Sequence, residues 1–176
     1  MDKTQNPWNV PVHVEDIPDT GLHVEIDAPE AVRTALRALA SLRDLPRLSA
    51  VFDLARRGAG VRVTGQVSAR VGQTCVVTLE LVESDLEESV DLVFTPASAE
   101  SAKAETFDLG TQDEDSPEPL VGGKLDLGAI ATEFLLLGID PYPRKAGAEY
   151  APVKADDGSA RPFAGLEALK KRLGSS

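Results

Sequence analysis

The chain has one cysteine, Cys75, and two histidines, His13 and His23. A single cysteine makes neither an internal disulfide nor a thiolate-rich zinc site. Two imidazoles leave little for metal ligation or for Ser-His and Cys-His catalysis. Long apolar runs are also missing: none approaches the ~18 residues that a membrane helix needs. Residues Met1–Trp8 contain no apolar core and do not read as a secretory signal. These absences predict a cytoplasmic protein with no metal, cofactor, membrane partner or small-molecule substrate. Carboxylates are abundant, but they crowd a segment expected to be mobile, where a raised pKa is hard to hold. The expectation is therefore a protein that is not an enzyme.

What is present suits one soluble domain with tails. The 176 residues are 42% hydrophobic and 27% charged, with a formal net charge of -11. That charge argues against coating nucleic acid, but it is segregated. Residues 30–72 hold eight arginines, no lysine and three acids, giving +5. Residues 80–119 hold thirteen acids and one lysine, giving -12. An arginine-only block suits phosphate forks and base stacking. The alternative is a solvated face neutralised by the protein's own acidic segment.

Hydropathy patterning predicts an α+β fold. Pro11–Val14 and Leu22–Asp27 alternate around the turn residues Pro18–Gly21, which suggests a short hairpin. Pro29 and Glu30 open a helix over 29–42, with Val32, Ala35, Leu36 and Leu39 on one stripe, and Pro46 ends it or its loop. Leu48, Ala50, Phe52 and Leu54 mark a strand. Residues 61–71 show the cleanest period of two, and 86–94 repeat it. Residues 73–81 continue extended or turn. The expected sheet is a curled antiparallel one, or a partial barrel, of about five to six strands.

A second helix is predicted over 126–137, with Asp126 as its N-cap, Gly138 just past its end, and Leu127, Ile130, Ala131 and Phe134 facing the core. Leu135, Leu136 and Leu137 make it apolar most of the way round, so it is deeply buried or has a partner. Residues 96–119 are small, polar and acidic and read as a mobile loop. Tyr142 beside Arg144 and Lys145 reads as an exposed linker or a small RNA-touching pattern. Phe163, Leu166, Leu169 and Leu173 fit a short amphipathic C-terminal helix. The organisation is a mobile N-terminus at 1–9, a domain at 10–150 and a tail at 151–176.

Two stretches carry a family resemblance. Gly65-Gln66-Val67 leads to Cys75-Val76-Val77-Thr78-Leu79-Glu80, and Leu125–Leu135 follows an acidic segment. Together, over roughly residues 10–150, they resemble the YceD family in its alphaproteobacterial form, bacterial proteins tied to accumulation of large-subunit ribosomal RNA. Many members carry C-x-x-C-L-E where this chain has Cys75 and Thr78, so a zinc site suspected in the family is incomplete here. Cys75 then reads as a small buried strand residue.

The resemblance implies a non-enzymatic ribosome-biogenesis factor that binds ribosomal RNA or a pre-ribosomal particle, a ribosomal protein, or both. The residues offer Arg33, Arg37, Arg56, Arg57, Arg62 and Arg70 as an RNA- or partner-binding surface. Arg62 and Arg70 fall on the polar face of one strand, about 26 Å apart at ~3.3 Å per residue. Arg56 or Arg57 is expected beside Arg62 across the turn. The alternative is a protein-only adaptor using Leu135, Leu136 and Leu137 with Glu114 and Asp115 of the acidic segment.

Overall fold

A computed structural model describes residues 6–96 and 117–150. The clean alternation seen in the sequence becomes the centre of a five-stranded sheet. Strand β1 (Pro11–His13) leads through one 3-10 turn to β2 (Leu22–Asp27), helix α1 (Glu30–Leu39), and the long strands β3 (Asp44–Arg57), β4 (Gly60–Thr74) and β5 (Leu81–Pro96). Strands β6 (Glu118–Leu120) and β7 (Lys124–Asp126) then precede helix α2 (Leu127–Gly138). The main sheet runs β2-β3-β4-β5-β6, and β1 pairs with β7 as a separate ribbon.

The fold is α+β, and among the described residues the sheet does not close into a barrel. All main-sheet pairings are antiparallel except the last, where β6 lies parallel to the end of β5. The ends of the expected 96–119 loop are therefore strand, at Pro96 and Glu118; residues 97–116, with Glu114 and Asp115, lie outside the described residues. So does the expected C-terminal helix.

Odd positions of β4 and even positions of β3 turn inward. Phe52, Leu54, Val61, Val63, Val67 and Ala69 are essentially inaccessible to solvent. Helix α2 covers them with Leu127, Ile130, Ala131 and Leu135, and α1 adds Leu36. Stripe positions i, i+3, i+4 and i+8 meet one surface. Leu135 takes the core place expected of Phe134, which is half-buried. The stripe of α1 is covered only in part: Leu36 is buried, while Ala35 and Leu39 are exposed.

Four local expectations are corrected. Residues 11–14 and 22–27 do not form a hairpin, because β1 finds β7 and β2 finds β3. Pro46 does not end a helix but sits in β3, where the pairing register shifts between Asp44 and Arg47; a bulge tolerates the missing N–H. Gly138 is the last residue of α2, and Ile139 in extended conformation ends it. Trp8 and Asn9, expected in the mobile stretch 1–9, are held in place: Trp8 is buried at 3% exposure and Asn9 bonds Asp126.

Asp126 explains how that N-terminal segment is held. Its Oδ1 accepts the N–H groups of Gly128 and Ala129, both at 3.1 Å, as a helix cap. The same oxygen accepts Val10 N at 2.8 Å, and Oδ2 accepts Asn9 Nδ2 at 2.8 Å. A side chain at Gly128 would run into the Trp8 carbonyl, so glycine lets the segment lie directly on α2.

Candidate functional site

The six candidate arginines divide among three places. Paired strand residues share a face, so Arg57, Arg62 and Arg70 stand on the open side of the sheet, away from the helices. Arg47, outside the candidate set, stands there too, opposite Arg70. Arg56 points the other way. Its guanidinium donates to the carbonyls of Ile17 and Val14, each at 2.8 Å, and of Glu15 at 3.1 Å. It closes the 3-10 turn, and Arg57 is the one of the pair that shares the face of Arg62. Arg33 and Arg37 lie on the helix side, in a small groove with Glu30 and Asp44. There Arg33 Nη1 donates to the Ala28 carbonyl at 2.6 Å. No continuous strip of six forms.

The open face is not basic either. Strand β5 places Glu83, Asp85, Glu87 and Asp91 beside the β4 arginines, and β2 and β3 add Glu25, Asp27 and Asp53. Four arginines thus share the face with seven carboxylates. Arg62 binds Asp91 through Nε–Oδ1 at 2.9 Å and Nη2–Oδ2 at 2.6 Å. That fork is why Asp91 lies below the usual carboxylate range: the hydrogen bond from Arg62 favours its charged form. Arg70 reaches Glu83 and Asp85, both at 3.4 Å, and Arg47 lies 3.9 Å from Asp85. A phosphate on this face would have to compete with resident carboxylates.

His23 joins the same face through Asp53, at 2.7 Å from Nδ1, and Glu25, at 3.4 Å from Nε2. These hydrogen bonds, Asp53 first, raise its pKa. His13 belongs to the other sheet, so the two histidines do not meet.

The leucine triplet also splits. Leu135 is buried, whereas Leu136 and Leu137 are 42% and 71% exposed. With Leu39 and Ala129 they border an apolar groove of about 330 Å³ between the two helices. Nearby, Leu92, Phe94, Val121 and Phe134 line a second hollow, of about 380 Å³, that shares Leu137 and Ala129. The two make one largely apolar surface around the exposed side of α2.

Sequence reasoning missed the role of Cys75. It is buried, as expected, but it sits in the turn after β4 and acts as a hydrogen-bond acceptor rather than an apolar filler. Its Sγ accepts the N–H groups of Val77, Thr78 and Lys145, each at 3.4 Å. The Lys145 amide first, then the Thr78 hydroxyl, and then the amides of Thr78 and Val77 lower its pKa to about 6. Around it, Val76 N donates to Pro143 O at 2.9 Å and Gln73 Nε2 to Asp140 O at 2.7 Å. Lys145 Nζ meets Glu80 at 3.0 Å and holds that carboxyl below its ordinary range. The sulfur thus fastens the 75–80 turn to the segment after α2. Tyr142, Arg144 and Lys145 are exposed on that segment. Among the described residues no three His, Cys, Asp or Glu side chains gather as metal ligands.

A family model described as "Large ribosomal RNA subunit accumulation protein YceD" matches residues 63–170. The match starts within β4 rather than near residue 10, and it continues past residue 150. No curated protein and no solved structure matches the chain.

Proposed function

The chain belongs to the YceD family, and from that premise we propose that it supports accumulation of large-subunit ribosomal RNA as a non-enzymatic binding factor of the cytoplasm. In this reading it meets the pre-ribosomal particle through a protein component rather than by laying RNA across its sheet.

The observation that carries the choice is the pairing of Arg62 with Asp91 and of Arg70 with Glu83 and Asp85. Those arginines were the strongest sequence argument for RNA. With seven carboxylates against four arginines, their face repels a polyanion more than it attracts one. The exposed leucines of α2, next to an apolar groove, have the character of a protein-binding surface instead. Titratable groups with shifted pKa also have structural partners: Asp91 has Arg62, Glu80 has Lys145, and Cys75 closes a turn.

The test is crosslinking and affinity purification of the tagged protein from its own cells, with bound RNA sequenced and bound proteins identified together. The reading expects large-subunit particles whose direct crosslinks are to protein. Crosslinks dominated by RNA at Arg62 and Arg70 would favour the RNA-face alternative.

A further inference from the structure

We propose that the edge of β5 that has no neighbour strand among the described residues is a docking site for an extended basic segment of a partner protein, which adds to the sheet as a further strand. Strand β4 pairs with Leu81–Phe94 on one side. On the other side β6 takes only Phe94–Pro96. Among the described residues, 81–93 therefore have one neighbour strand. Alternate residues of such an edge point their N–H and C=O groups outward, where they are a template for another chain.

A groove lies beside this edge. It measures about 420 Å³ and is lined by Val82, Leu86, Glu87 and Glu88 on the strand and by Asp140 and Arg144 beyond it, so its carboxylates outnumber its one cation. The end of α2 comes close here: a side chain at Gly138 would lie 2.7 Å from the Glu88 carboxylate. A strand hydrogen-bonded to β5 would send every second side chain into the groove, beside Val82 and Leu86. The intervening ones would lie on the open face, beside Asp85 and Glu87.

Charge selects the occupant. Residues 81–93 contain Glu83, Asp85, Glu87, Glu88 and Asp91 and no lysine or arginine. Glu87 and Glu88 have no cationic partner among the described residues. A second copy of β5 would set carboxylates opposite carboxylates, which is unfavourable across a strand pair. Nucleic acid is repelled for the same reason. Lysine or arginine at alternate positions, with small or apolar residues between them, complements both the open face and the groove. This proposal stands apart from the ribosomal reading, since it needs only the edge, the groove and their charge.

Hydrogen–deuterium exchange on the full chain tests it, with a capped peptide of alternating lysine and valine as the probe. In the free protein, the outward-facing amides within 81–93 exchange readily. With the peptide they slow by about tenfold or more. A glutamate–valine peptide, or a lysine peptide with proline at every valine, leaves them unchanged. Glu87→Lys, on an exposed residue, weakens peptide binding by about tenfold, and Glu87→Gln weakens it less. Edge amides already protected in the free protein would overturn the proposal; sedimentation would then tell a second copy from the chain's own tail. Equal binding of the proline peptide, or unchanged affinity in a folded Glu87→Lys protein, would overturn it too.

Discussion

Arg62 holds Asp91 in a two-point fork on the open face of the sheet, Nε to Oδ1 at 2.9 Å and Nη2 to Oδ2 at 2.6 Å. The arginine that the sequence offers to phosphate is already bound to a carboxylate. Freeing it should therefore change what the face binds. The double variant Asp85→Asn, Asp91→Asn should retain a single-stranded RNA probe in a salt-sensitive manner that the native protein does not show. A filter-binding titration in low and high salt checks this. Retention by the native protein, lost on Arg62→Gln and Arg70→Gln, is the opposite outcome.

The same fork sets an acid limit. Asp91 has its pKa lowered in the folded state, so its contribution is present above the unfolded carboxylate pKa, about 3.9. It is lost as pH falls through the lower folded value. Reversal to Arg62→Glu would place a second carboxylate beside Asp91, so that variant should lose stability although its side chain is exposed. Melting curves of Arg62→Gln and Arg62→Glu should fall in that order below the native protein.

Cys75 makes a prediction of the same sign at higher pH. Its pKa falls from 9.0 to about 6 on folding. Across that window the unfolded thiol keeps its proton while the folded one gives it up, so stability rises with pH between about 6 and 9. In reducing buffer, denaturant midpoints of the native protein should climb over this range. Those of Cys75→Ala should lack that component. A flat native profile would show that the Lys145, Thr78 and Val77 donors do not favour the thiolate.

Asp126 joins helix α2 to Asn9 and Val10 of the N-terminal segment through one carboxylate. Asp126→Ala removes a helix cap and leaves the Val10 N–H without its acceptor, at a combined cost of about 2 kcal/mol. Asp126→Asn, which keeps one acceptor oxygen, should recover part of it. Urea unfolding of the three proteins gives the comparison.

Residues 61–71 were legible because one face is core and the other is solvent, so the period of two is unbroken. Asp126 was legible because a cap is a local signal. The pairing of β1 with β7 was not, since it joins residues more than a hundred positions apart and no local pattern names the partner. The arginine surface was misjudged for a related reason. Alternation placed Arg62 and Arg70 on one face correctly, but only the β4–β5 register puts Asp91 and Asp85 beside them. Arg56 and Arg57 differ by one residue and hence by a whole face. The work of Cys75 depends on Lys145, seventy residues away, and has no signature in its own neighbourhood.

The central claim is most directly tested by the ratio of large- to small-subunit ribosomal RNA in cells depleted of the protein and complemented with variants. Depletion should lower the ratio, and the native protein or the Arg62→Gln, Arg70→Gln protein should restore it. Leu136→Asp with Leu137→Asp, on exposed positions of α2, should fold but fail to restore it. An unchanged ratio on depletion, or rescue by the leucine variant and not by the arginine variant, would contradict the account.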